Sequence, residues 1–129
     1  MTNLNDISSG VYARLGTANI PSEITSGDII DLANDRIIYM ENFTGLSVNS
    51  GDIPRSFISP LKDLTTADVI ARKIRINVGE DISIGNIRLE YTNTMEAERE
   101  QAKYYLARAQ ENLKMLGKHS HYDYTTKVD

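Results

Sequence analysis

The sequence predicts a mainly α protein: a four-helix bundle with a short β-hairpin or extended loop between the third and last helices, and a flexible C-terminal tail. Three observations lead there. Apolar residues recur every three or four positions in four separate windows, the period of a one-sided helix. Each window is bounded by residues that start or stop helices. One stretch, Gly79 to Tyr91, departs from the pattern and alternates instead, as a half-buried strand does. At 129 residues the chain is long enough for a single core that buries about two-thirds of the unfolded surface. The expected division is residues 1–117 as one helical domain and 118–129 as the tail.

In the first window Ile7, Val11 and Leu15 are spaced by four, with Asp6 as the expected N-cap. Gly10 weakens this helix and Gly16 ends it. The second window, Thr25 to Gly45, carries the broadest apolar face. Ile29, Ile30, Ala33, Ile37 and Met40 form its stripe, widened by Leu32, Tyr39 and Phe43. Thr25 followed by Asp28 has the form of a capping box, and Gly45 supplies the C-terminal stop. So wide a face predicts that this helix is the central one.

A polar loop, "LSVNSGDIPRSF", separates it from the third helix. Ser59 is the expected N-cap there, with Pro60 at the first helical position, where its missing N–H costs nothing. Leu61, Leu64, Ala67, Ala71 and Ile74 follow at helical spacing. After the alternating stretch, Asn93 or Thr94 caps a last helix with Met95, Ala102, Leu106, Ala109, Leu113 and Leu116 on its apolar side. Glu96, Glu98 and Glu100 suit its positive N-terminal end, and Gly117 is the expected stop. The shared core predicted from these stripes comprises Ile30, Ala33, Ile37, Leu64, Ala71, Leu106 and Leu113. "KHSHYDYTTKVD" has no hydrophobic period and reads as tail.

Composition narrows the chemistry. The chain has no cysteine, which removes disulfides, thiolate metal sites and cysteine nucleophiles. Its net charge is −4, so the total carries no nucleic-acid footprint. The opening "MTNLNDISSG" has neither the basic nor the apolar region of a signal peptide, and no apolar run reaches membrane length. A soluble protein made in the cytoplasm, with no membrane partner, is expected.

Catalytic groups are sparse, and no enzyme activity and no cofactor are expected. His119, His121 and Asp123 could share a face of an extended segment and hold a divalent metal, but a solvated tail accounts for them and no metal site is assigned. Arg72, Lys73 and Arg75, with Arg88, form a basic group, which a helix C-terminus also favours. The seven tyrosines point elsewhere. Tyr104 and Tyr105 are adjacent, so one must face away from the core, and Tyr122 and Tyr124 lie in the tail. Aromatic residues in such places commonly anchor a protein partner.

The order of elements carries a resemblance. A helix ends in "IIYMENFTG", a polar loop with "IP" follows, then a third helix, "ISIGNIRLEY", and a last helix rich in Ala and Leu. This resembles the head–tail connector adaptor proteins of tailed bacteriophages and related viruses, over roughly residues 20 to 116. Ile84, Gly85, Asn86, Ile87, Leu89 and Tyr91 occupy the family's I-G-[DN]-hydrophobic-x-hydrophobic-x-Tyr segment. The basic end of the third helix, Arg72 to Arg75, and the amino-terminal helix depart from the pattern.

The resemblance implies a virion protein at the head–tail interface, made in the host cytoplasm. It implies a homo-oligomeric ring of about twelve subunits beneath the portal protein, joined below to a stopper or tail-completion protein. The ring would extend the channel through which DNA leaves the capsid, without sequence-specific binding. Twelve copies at −4 carry roughly −48, which would repel phosphates if the acidic residues line the lumen. Ile82, Ile84, Ile87, Leu89 and Tyr91 are then the expected subunit interface, because a lone two-stranded ribbon is marginal in water and a neighbouring subunit would cover it. Tyr122 and Tyr124 are the expected portal-docking residues, on one face of an extended tail. Two other readings stay open: a helical regulatory or scaffold module that binds a cellular protein, and a DNA-binding protein using Arg72, Lys73, Arg75 and Arg88.

Overall fold

The computed structural model describes the backbone of residues 2–81 and 87–128, and side chains over residues 2–76 and 96–116. Among the described residues the chain forms four α-helices and no strand. They are α1 (Leu4–Leu15), α2 (Ser26–Thr44), α3 (Arg55–Asp81) and α4 (Ile87–Val128), with a single 3-10 turn, Thr17–Asn19, after α1. The helical bundle is as expected.

Local signals account for most of the boundaries. Thr25 caps α2 by accepting from the Asp28 N–H at 3.2 Å, while Asp28 accepts from the Thr25 N–H at 2.9 Å. Gly45 ends the helix in the left-handed region, φ 75°, and its N–H reaches the Glu41 carbonyl at 2.8 Å. At α1 the cap differs from expectation. Asn3 is the N-cap and Asp6 the third helical residue of a capping box, so the helix begins one turn earlier. Gly10 is where the Lys62 stem crosses α1: a Cβ added there would stand 2.6 Å from Lys62 Cε.

α3 also starts early, at Arg55 rather than after Ser59, which places Pro60 inside the helix. Pro60 removes one backbone bond there, but it is buried, as are Leu61, Leu64, Ala67, Val69 and Ile70 around it. Burial on nearly every side identifies α3, not α2, as the central helix. Three of its polar residues, Asp63, Thr65 and Thr66, are therefore interior too. Thr65 and Thr66 satisfy their hydroxyls on their own helix, donating to the Leu61 and Lys62 carbonyls at 2.7 and 2.6 Å.

The main core gathers Ile7 of α1, Ala33, Ile37 and Met40 of α2, Phe57, Leu61 and Leu64 of α3, and Ala109 and Leu113 of α4. A second cluster, Val11, Ile24, Ile29 and Val69 among its members, closes the other end. Of the expected core, Ala33, Ile37, Leu64 and Leu113 are buried, whereas Ile30, Ala71 and Leu106 are only half-buried.

Two expectations are corrected by the backbone. Ile87, Leu89 and Tyr91 belong to the first turns of α4, so the β-hairpin is not formed; residues 82–86 lie outside the described residues. A short apolar run fits either period, and Arg88 and Glu90 between the apolar positions are good helix formers. The tail is likewise not a separate element, because α4 continues through Gly117 to Val128. An interior glycine costs a helix about 1 kcal/mol, which does not by itself end one. Since α4 begins at Ile87, Glu96 to Glu100 are not its first turn either, and the dipole argument made for them fails.

Candidate interaction site

α3 and α4 form an antiparallel pair whose register is set by two ion pairs. Lys73 stands opposite Glu98, 3.6 Å apart. Ten residues earlier in α3, Asp63 stands opposite Arg108, ten residues later in α4, at 2.5 Å. The same register brings Arg55, the first residue of α3, level with Leu116. Residues 117–128 of α4 therefore run past the start of α3, an overrun of roughly 18 Å at helical rise.

The most polar junction of the bundle is at Asp63. Its side chain is fully buried, and Arg14 of α1 and Arg108 of α4 both converge on it. Arg108 binds in the bidentate fork, Nε to Oδ2 at 2.9 Å and Nη2 to Oδ1 at 2.5 Å, while Arg14 Nη1 shares Oδ1. These hydrogen bonds to Asp63 hold the Arg108 guanidinium above its ordinary pKa, against the opposing effect of burial. One carboxylate thus ties three helices together.

Two tyrosines cover this cluster. Tyr104 and Tyr105 meet edge to face, centroids 5.6 Å apart at 67°. The Arg108 guanidinium lies 5.2 Å from the Tyr104 ring and 5.4 Å from Tyr105, and Arg14 lies 5.6 Å from Tyr105. Tyr104 also accepts from Arg108 Nη1 at 3.2 Å and remains 58% exposed. As expected from their adjacency, one of the pair faces outward. Met115, three turns further along α4, is 67% exposed, and Ile38 and Phe43 are exposed on α2.

On the other side of α3, Arg36 of α2 grips Asp68 bidentately at 2.6 and 2.7 Å and lies 5.1 Å from the Tyr39 ring. The Asp68 hydrogen bonds raise the Arg36 pKa. The basic group expected at the end of α3 is dispersed. Lys73 is engaged with Glu98, Arg72 lies half-buried on the α2 side, where its charge adds slightly to the lowering of the Asp28 pKa that the Thr25 hydrogen bonds cause, and Arg75 is exposed.

The residues singled out as a subunit interface, Ile82, Ile84, Ile87, Leu89 and Tyr91, have side chains outside the described residues, as do Arg88, His119, His121, Tyr122, Asp123 and Tyr124. Tyr122 and Tyr124 stand on helical backbone, so the strand alternation expected to align them does not apply. Among the described residues no group of three His, Cys, Asp or Glu side chains is placed to hold a metal ion, and no helix is long and apolar enough to cross a membrane.

Sequence reasoning missed Asp63 and Glu98. Both look like ordinary surface positions until the partner helix is known. The available signal was arginine at position 108 on the border of an apolar stripe, where a buried acid on a facing helix would be its natural partner. Comparison with protein-family models, with curated proteins and with solved structures finds no match to this chain.

Proposed function

We propose that this chain is a head–tail connector adaptor: a non-enzymatic virion subunit that forms a ring beneath the portal protein, extends the DNA channel and joins the capsid to the tail. The observation that carries the reading is the length of α4. A helix that overruns its antiparallel partner by roughly 18 Å offers a projecting element to another protein. Docking would then be helix-in-groove rather than strand addition, with Tyr122 and Tyr124 on the projecting part. The order of elements that resembles the adaptor family adds to this, as do the exposed Tyr104 and Met115 on the same helix.

In this reading Ile82, Ile84, Ile87, Leu89 and Tyr91 meet the neighbouring subunit, the last three from the opposite end of α4. A stopper or tail-completion protein would bind the face away from the portal. DNA would pass through a lumen of net negative charge without sequence-specific contacts. The pairing of Lys73 with Glu98 and the half-buried position of Arg72 argue against a concentrated phosphate-binding surface there.

The test is to co-express the chain with the portal protein encoded in the same genome and to measure mass by light scattering and shape by negative-stain microscopy. A ring of adaptor subunits on the portal is the expected result. A chain that stays monomeric or dimeric, and separates from the portal at low salt, overturns the reading.

A further inference from the structure

Glu98 is the one buried side chain whose polar atoms find no hydrogen-bond partner among the described residues. The residue is 9% exposed, in the interior of α4. The Lys73 ammonium is 3.6 Å away, near enough for attraction but beyond hydrogen-bond length. A buried carboxylate left without donors keeps an uncompensated desolvation cost. A fold that tolerates this has a use for the open acceptor or fills it with something else.

Glu98 belongs to the lining of a cavity of about 150 Å³ between the end of α1, the 3-10 turn, α3 and α4. Asn19 and Gln101 stand at its polar side, and Leu15 and Ile70 at its apolar side. One hydrogen of the Asn19 amide is given to the Leu15 carbonyl at 2.7 Å, and the amide oxygen stays open as an acceptor. Beside the Lys73 ammonium, the lining thus offers the Glu98 carboxylate and the Asn19 and Gln101 amides next to a short apolar wall.

We propose that this cavity binds a cationic N–H donor, an alkylammonium or guanidinium group on a short apolar stem. Glu98 and the Asn19 oxygen would take its hydrogens, and Leu15 and Ile70 its methylenes. An anion would meet the carboxylate, and a purely apolar guest would leave Glu98 as bare as it is now. A single carboxylate is too few ligands for a divalent metal ion. The space holds several waters, which leaves room for a guest the size of a methylguanidinium ion. Lys73 is the built-in competitor. Its ammonium weakly occupies the place the guest would take and, on a flexible stem 26% exposed, can swing to solvent as the guest enters.

This cation has two sources that the experiment separates: a free small cation, or an Arg or Lys side chain of another protein chain. The proposal does not rest on the connector reading, because it is tested on the isolated chain. Methylguanidinium and ethylammonium chloride are titrated against a sodium chloride control, following the side-chain amides of Asn19 and Gln101 by NMR. Saturable shifts are expected in the wild type. Glu98→Gln, which keeps the shape and removes the charge, should abolish them; Lys73→Met should tighten binding on the order of tenfold by removing the competing charge. Should Glu98→Gln fail to fold, Asn19→Ala at an exposed position should weaken binding instead. If the free cations do not saturate but Glu98→Gln dissolves self-association of the chain, the cation arrives on a protein side chain. Absence of saturable shifts together with unchanged self-association overturns the proposal and leaves a cavity that holds water.

Discussion

Arg108 and Asp63 form a two-point clamp, Nε to Oδ2 at 2.9 Å and Nη2 to Oδ1 at 2.5 Å, around a carboxylate with no exposure to solvent. The asymmetry matters energetically. Asp63 is buried, whereas the side chains of Arg108 and Arg14 keep 39% and 23% of their surface in water. Losing the acid strands two guanidiniums against each other; losing one arginine leaves the acid still paired. Asp63→Asn should therefore destabilise the fold by about 3–5 kcal/mol. Arg108→Met should cost about 1–2 kcal/mol, because Arg14 still meets Oδ1. Urea denaturation of the two variants checks the order. Equal losses would mean that the clamp contributes no more than its packing.

Core substitutions should separate the buried from the half-buried face of α4. Leu113 is fully buried against Phe57 and its neighbours, so Leu113→Ala should cost about 2–5 kcal/mol. Leu106 only borders the same cluster, and Leu106→Ala should stay under about 2 kcal/mol. Denaturation midpoints of both variants, measured side by side, read the difference.

The capping box of α2 predicts an acid limit. Hydrogen bonds from the Thr25 backbone and side chain hold the Asp28 carboxyl below its ordinary 3.8. A depressed folded-state value means that the stabilisation is present above the unfolded value and is lost as pH falls through the folded one. Amide exchange at Thr25 should accordingly quicken, relative to intrinsic rates, below about pH 4. In Asp28→Asn, which keeps an acceptor but cannot titrate, this acid dependence should vanish.

What could be read from the sequence divides along the range of the interaction. Thr25, Asp28, Gly16 and Gly45 act within one turn of chain, and each did what its type and position predicted. Asn3 and Arg55 show the limit of that logic: a better cap lay just upstream in the first case, and burial of Pro60 outweighed its lost bond in the second. Between Gly79 and Tyr91 the pattern itself was ambiguous, since apolar spacings of two and of three or four overlap in so short a run. The Asp63 clamp and the Glu98 cavity depend on which residues of α3 face which of α4. That register spans 25 to 45 residues of sequence and has no local signature. The interior role of α3 was hidden for the same reason, its buried Asp63, Thr65 and Thr66 making it look less apolar than α2.

The connector reading makes its sharpest demand on the overrun of α4. Residues 117–128 extend beyond the register that pairs α4 with α3, and among the described side chains Leu116 is the last of α4 packed against the main core. Removing residues 118–129 should therefore leave the bundle stable, with a denaturation midpoint within the range of surface substitutions, about 0.5 kcal/mol. Helical circular dichroism should fall only by the share of the removed turns. Portal binding should drop sharply, and Tyr122→Ala with Tyr124→Ala should reproduce part of that drop, as aromatic anchors do when truncated. A shortened chain that binds the portal as well as the full one removes α4 from the docking surface. A shortened chain that unfolds instead places the overrun inside the stability of the bundle, and the observation on which the connector reading rests would then have a purely structural meaning.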